Sequence, residues 1–138
     1  LRVKTWDLED AAAVVRAHPG IAVAPNHTGF PWDRSAEGLE MWRRGMRALA
    51  ASPHCSCKLS CLCLLDGPWD YESNRRVVLE AIDMFGAGRC MFASNFPVDG
   101  LRVGFGRMFD DYKRMTRDFS RAERRALFHD NAARFYRL

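Results

Sequence analysis

Three short apolar runs punctuate the chain at even intervals. IAVAPNH (21–27), CSCKLSCLCLL (55–65) and RCMFASN (89–95) each hold mostly apolar or small side chains, the pattern of a strand buried on both faces. The segments between them have a different period. In SAEGLEMWRRGMRALAAS (35–52), Leu39, Trp42, Met46 and Leu49 recur at steps of three and four, the stripe of an amphipathic helix. YESNRRVVLEAIDMFG (71–86) does the same with Val77, Val78, Ala81, Ile82 and Phe85, and Gly86 is its natural stop. A helix over DLEDAAAVVRAHPG precedes the first run and ends at Pro19-Gly20. After the third run, VGFGRMFDDYKRMTRDF reads as a helix with glycine-weakened first turns. SRAERRALFHD opens with a capping box, Ser120 and Glu123, and NAARFYRL closes the chain as a short helix.

Strands alternating with helices make this an α/β chain with a parallel sheet. The runs start near residues 21, 55 and 89, a spacing of 34 residues that fits a repeated βα unit. Three strands are few, since an eight-stranded (β/α) barrel takes roughly 250 residues. The chain is therefore a small open α/β domain or the last part of a larger barrel. It begins at Leu1 rather than Met, which leaves a fragment or a processed chain open.

Composition excludes more than it selects. The 138 residues are 48% hydrophobic and 28% charged, ordinary for one globular core. No apolar run of about 18 residues occurs, so no transmembrane helix and no membrane partner are expected. The first residues lack the regions of a signal peptide. The net charge of +4 gathers near the C-terminus, but its lysines and arginines alternate with acids and apolar residues at helical spacing. That is a solvated helix face, and no nucleic acid is expected as a partner. Four of five cysteines crowd into CSCKLSCLC, where a secreted disulfide framework would spread them, so reduced thiols in an intracellular (cytoplasmic) protein are expected. Cys55, Cys57, Cys61 and Cys63 are all odd-numbered and would share one face of an unbroken strand. That suits small core residues better than a tetrahedral metal site.

Parallel α/β folds carry their sites at the C-terminal strand ends. Here those ends read APNHTGFPWD, KLSCLCLLDGPWD and ASNFPVDG. Proline and tryptophan beside polar residues, Trp32 among them, suggest a shaped pocket mouth. His27 ends the first run, where a neutral imidazole could bind a metal or a substrate carbonyl, or could merely cap backbone groups. Lys58 lies inside an apolar run; it faces an anionic substrate group or marks the solvated start of the strand. His18, His54 and His129 look structural or exposed.

NHTGFPWD, KLSCL and RCMFASNFPVDG, with FHDNAARFYRL at the end, resemble the C-terminal half of the amidohydrolase-related family, TIM-barrel metal-dependent hydrolases of the fuconolactonase-like and pyrone-dicarboxylate-lactonase-like branch. The resemblance covers nearly the whole chain. It implies one partial domain over residues 1–138, the C-terminal part of a (β/α)8 barrel with about three parallel strands. It also implies hydrolysis of a lactone or a related C–O or C–N bond, a small-molecule substrate that is a lactone or bears a carboxylate, and a divalent metal, Zn or Mn, in the complete barrel. By this resemblance His27 ends strand six and is the metal-ligand candidate, Lys58, Ser60 and Cys61 form strand seven, and Ala93 to Pro97 end strand eight. Asn131, Ala132 and Tyr136 match the closing motif. Lys58, Ser60 and Trp32 are the expected substrate-binding residues, and His27, Asn95 and Asp99 the expected catalytic ones.

The sequence departs from the family pattern in three places. The first-strand His-x-His pair is not in this chain, Cys61 replaces a glycine, and Asn95 replaces the strand-eight aspartate that takes a proton from the attacking water. An amide has no basic form near neutral pH, so Asn95 can only hold water or a carbonyl. Asp99 and Asp70 are the carboxylates within reach by position, Asp70 being as well suited to capping a loop. The chain alone is expected to be inactive, and an inactive relative kept for binding or assembly is the competing class. A self-standing three-stranded binding domain is a third.

Overall fold

The structure is a computed structural model that describes residues 1–64 and 67–138. Helices α1 (Leu8–Ala17), α2 (Ala36–Ala50) and α3 (Tyr71–Phe85) pack with α4 (Phe105–Met115) on one side of a narrow parallel sheet. The chain closes with α5 (Arg121–Arg125), a π-helical turn over Ala126–Asp130 and α6 (Asn131–Tyr136). The sheet pairs β1 (Cys57–Leu59) with β2 (Cys90–Phe92) in register, Cys57 opposite Cys90 and Leu59 opposite Phe92.

The helices start and stop where their sequences dictate. Ser35 caps α2 by accepting from the Gly38 N–H at 3.0 Å, and Asp70 caps α3 by accepting from the Ser73 N–H at 3.0 Å. Asp70 is thus the capping residue that the sequence allowed, not a site carboxylate. Ser120 and Glu123 form the expected capping box of α5. Gly86, at φ 79°, ends α3 in a conformation that disfavours a side chain. On α2 the stripe Leu39, Trp42, Met46 and Leu49 is buried, as are Val77, Val78, Ala81, Ile82 and Phe85 on α3. Helices α1 and α2 approach closely at Gly45, where a Cβ would lie 2.3 Å from that of Leu8.

Alternation along the sheet sorts the side chains. Cys55, Cys57 and Leu59 are fully buried against the helices. Lys58 and its register partner Met91 point to the opposite face, the interior side of a barrel wall, and Met91 stands apart from the helix-side core. Phe92 faces the helices and stacks on Tyr112 of α4 and on Phe128. Two residues tie the connections down. Arg89 donates to the carbonyls of Ala50, Ser52, Cys55 and Phe85, and Asn131 donates to those of Ala87 and Cys90 at 2.7 Å each. Asn131 so anchors the closing motif beneath β2.

Two expectations change. The first run is not a strand of regular length: only Val23 forms a bridge, parallel to Cys55. The Pro25 carbonyl still accepts from the Lys58 N–H at 3.2 Å, but Pro25 has no N–H to return, and the Asn26 N–H is taken by the Leu1 carbonyl at 2.8 Å, so no second bridge is completed. The second run breaks after Leu59, because the Ser60 N–H turns to the Thr28 hydroxyl and Cys61 enters the left-handed region at φ 53°. The four clustered cysteines therefore do not share one strand face: Cys55 and Cys57 are core residues, while Cys61 and Cys63 stand at the wall of a cleft. All five thiols are free. The last residue of that run, Leu65, lies outside the described residues.

Candidate functional site

Both strand ends that frame the cleft leave the sheet through left-handed backbone. After the Val23 bridge, His27, Thr28, Gly29 and Phe30 all have positive φ, at 58°, 54°, 71° and 55°. A non-glycine residue there costs roughly 1–2 kcal/mol, so the turn must be held from outside. It is held on three sides. Trp42 donates its indole N–H to the Thr28 carbonyl at 2.7 Å. Thr5 donates to the carbonyls of Gly29 and Phe30, and Thr28 exchanges hydrogen bonds with the backbone of Ser60. The absence of a side chain at Gly29 matters, since a Cβ would meet the Met46 sulfur at 2.7 Å.

This turn presents His27. Its Nδ1 lies 3.0 Å from the Ser60 hydroxyl, and its ring meets Phe30 edge-on at 5.0 Å. Partial burial, then the charges of Lys58 and Arg2, hold its pKa below the usual imidazole value. His27 is therefore neutral at pH 7, and with Nδ1 engaged, Nε2 is the nitrogen left for a ligand.

The end of β2 is built differently. Asn95 is also left-handed, at φ 54°, and its amide donates to Asp99 Oδ1 at 2.9 Å. Asp99 is 2% exposed, yet its second oxygen, Oδ2, has no hydrogen-bond partner among the described residues. Burial raises the Asp99 pKa, and the Asn95 hydrogen bond partly offsets the rise. Below it the Tyr112 hydroxyl is buried and likewise without a partner, its pKa driven up by burial and by the charge of Asp99.

His27, Trp32, Asn95 and Asp99 converge on one cleft of about 430 Å³, with Arg2, Phe30, Cys61, Cys63 and Arg102 completing much of its wall. Trp32 meets Phe30 edge-on at 4.8 Å, and its indole N–H is buried and unpaired among the described residues. Ser60 does not reach the cleft; it is fully buried and supports His27 from behind. Lys58 does not line the wall either, and acts on His27 through its charge. Burial pushes the thiols of Cys61 and Cys63 up to about 11 and about 12, with Asp99 adding to both, so neither is a thiolate nucleophile near neutrality. A larger hollow of about 590 Å³ beside α1 is lined mainly by Leu1, Val3, Val14, Val15 and Ile21 and lacks such convergence. His18 and His54 bond to the carbonyls of Val14 and Val15, and His129 to Asp130, so none joins the cleft.

The sequence did not single out Thr28, Tyr112, Arg2 or Arg102. Thr28 carried a weak signal in the His-Thr-Gly triplet, where a threonine must either turn outward or bond inward. Arg2 and Arg102 come to the cleft, and Tyr112 to the core near Asp99, through tertiary packing, which leaves no local mark. Among the described residues no three His, Cys, Asp or Glu side chains form a group that could hold a metal. The donors present do not fit a metal unaided. Nor is any helix of the described residues long and apolar enough to cross a membrane.

Comparison with known proteins gives this geometry a context. A family model described as Amidohydrolase matches residues 1–138. An uncharacterised protein of Sinorhizobium fredii is 43% identical over 138 residues, covering 100% of this chain and 46% of its own length. An L-fucono-1,5-lactonase of Burkholderia multivorans is 34% identical over 143 residues, covering 95% of this chain and 48% of its own. A crystal structure of an amidohydrolase from Burkholderia multivorans with bound Zn superposes with a TM-score of 0.92 at 32% identity, over 99% of this chain and 52% of that one. The chain thus spans about half the length of the curated relatives it matches.

Proposed function

The chain belongs to the amidohydrolase family, with the α/β architecture of part of a TIM barrel, and from that premise we propose that its cleft hydrolyses the ester bond of a small lactone within a completed barrel. One observation carries the proposal: a neutral histidine, a strand-end amide and a buried carboxylate converge at the C-terminal ends of parallel strands, where this architecture does its chemistry. The lactonase name of a 34% identical relative supports the substrate class.

Each residue then has work that its surroundings allow. His27, held by Ser60, offers Nε2 to the lactone carbonyl. Lys58 helps keep the ring neutral and supplies positive charge on the interior face for an anionic substrate. Trp32 gives the lactone ring an apolar wall. Asn95 and Asp99 form the polar corner at which water is held. If the complete barrel uses a divalent metal such as Zn or Mn, His27 Nε2 would bind it in place of the carbonyl, and the other ligands would come from strands outside this chain.

The test is a pH-stat assay of 1,5-lactones of sugar acids, made on the longest form in which the chain is produced. Each turnover yields a hydroxy acid that ionises and releases a proton. Acid release above the spontaneous rate, lost in His27→Ala, is expected; its absence with every lactone would remove the proposal. The second reading, an inactive relative kept for binding or assembly, is favoured by Asn95 standing where the family pattern has aspartate. Asn95→Asp separates the two: a gain in rate means a decayed site, a loss means that the amide has a role of its own.

A further inference from the structure

The loop after β2 turns its large apolar side chains outward. Val98 is 60% exposed and Leu101 83%, with Phe96 and Phe105 exposed beside them, a local density of apolar surface that marks a place of contact. The four divide by what they touch. Phe96 and Phe105 meet edge-on at 5.2 Å, and the Phe96 ring lies so close to Gly100 that a Cβ there would come within 3.0 Å of it. They brace the loop. Val98 and Leu101 line the cleft.

Local geometry puts those two together. Val98–Leu101 is a single 3-10 turn, in which residues three apart eclipse, so Val98 and Leu101 share one face. Asp99, between them, is buried, and Val103 is anchored in the core just after the turn. The backbone holds the turn closed. The Asp99 N–H donates to the Asn95 carbonyl at 3.2 Å and the Gly100 N–H to the Pro97 carbonyl at 3.0 Å. The Asp99 carbonyl accepts from the N–H groups of Arg102 and Val103 at 3.0 Å each. Val98 and Leu101 therefore form a fixed apolar lip on the cleft. Phe30 and Trp32, edge-on at 4.8 Å, give the same cleft an aromatic wall.

The lip has a chemical preference. Neither of its side chains carries a polar atom, so a hydroxyl pressed against it would lose water and gain no partner. A hydrocarbon group has no such cost there and gains by leaving water. We propose that Val98 and Leu101 form a subsite for a hydrocarbon substituent, and that the lactone taken by this cleft bears an alkyl group on its ring. The proposal rests on the lactone-hydrolase reading and narrows its substrate class. The ring lies against Trp32 with its carbonyl toward His27, and the alkyl group runs along the lip.

The test pairs two series on the longest form in which the chain is produced. One is 1,5-lactones bearing a methyl, propyl or pentyl group on the ring carbon next to the ring oxygen, followed by acid release. The other is the matching δ-lactams, which are not turned over on the timescale of a titration, followed by quenching of tryptophan fluorescence. Lactam Kd is expected to fall and lactone kcat/KM to rise by about threefold per added CH2, short of the roughly fourfold of complete burial because the lip is open to solvent. Leu101→Asn and Val98→Thr should flatten both series; the two side chains are exposed, and an unchanged unfolding temperature shows that the fold is kept. A lactam Kd independent of chain length in the parent would overturn the proposal. So would a chain-length dependence that survives in both variants, since the hydrocarbon would then bind elsewhere. If the parent hydrolyses no lactone, the hydrolase reading fails by itself. The lactam series still decides the subsite: affinity that grows with chain length and is lost in Leu101→Asn upholds it, and flat affinity removes it.

Discussion

The two strand ends of the cleft share a vocabulary, a polar residue in left-handed backbone followed by Phe-Pro, yet they are built to opposite purposes. At His27 every strained residue is answered: Trp42, Thr5 and Ser60 bond the turn, and the imidazole is oriented from behind. At Asn95 the side chain donates to Asp99 Oδ1 and Ser94 Oγ accepts from the Phe96 N–H, while Asp99 Oδ2 and the nearby Tyr112 hydroxyl have no partner among the described residues. The turn at His27 is held by the rest of the fold, whereas the corner at Asn95 keeps buried polar groups open.

The contrast can be broken first at its rigid side. Trp42→Ala removes a fully buried indole and the donor to the Thr28 carbonyl. A loss of about 3–5 kcal/mol is expected in urea unfolding, enough to unfold a marginal domain. Thr28→Val deletes the hydroxyl exchange with Ser60 and should cost about 1–3 kcal/mol, since it strands the buried Ser60 N–H. Ser60→Ala leaves the backbone bonds in place; about 1 kcal/mol of stability and a rise in KM are expected as His27 loses its orientation.

Titration sharpens the same comparison at smaller amplitude. The folded-state pKa of His27 is depressed, so the unfolded chain binds its proton first as pH falls. His27 therefore weakens stability below the ordinary imidazole range and leaves it untouched above. Lys58→Met removes the second cause of the shift, and the His27 pKa followed by NMR should rise. Asp99 runs the other way: its folded pKa is raised, so it costs stability at neutral pH and the cost is relieved as pH falls through that pKa. Asp99→Asn should thus stabilise the protein at pH 7 and make little difference in acid.

How much of this was legible in the sequence depends on where the decisive contact lies. The α2 and α3 stripes, the Ser120–Glu123 box and the βα order are local and periodic, and they read correctly. His27, Trp32, Asn95 and Asp99 were readable as strand-end residues, and the fold brings them to one cleft. The shortening of the first run was readable only in part: Pro25 withholds an N–H, but Leu1 taking the Asn26 N–H is a contact across the chain. The break at Ser60 depends on Thr28, 32 residues away, and so the shared-face argument for the cysteines failed at Cys61. Ser60 and Lys58 lay on the right strand, but only packing reveals that both act on His27 rather than line the cleft.

The central claim is that the cleft at these strand ends is hydrolytic and that His27 works in it. Its most direct test is the rate of acid release from a 1,5-lactone by the parent and by His27→Ala, measured side by side at pH 7 on protein whose folding has been checked. Release above the spontaneous rate in the parent, falling to that rate in a folded His27→Ala, is the predicted result. Equal release by both, or none by the parent with any lactone tried, would contradict it.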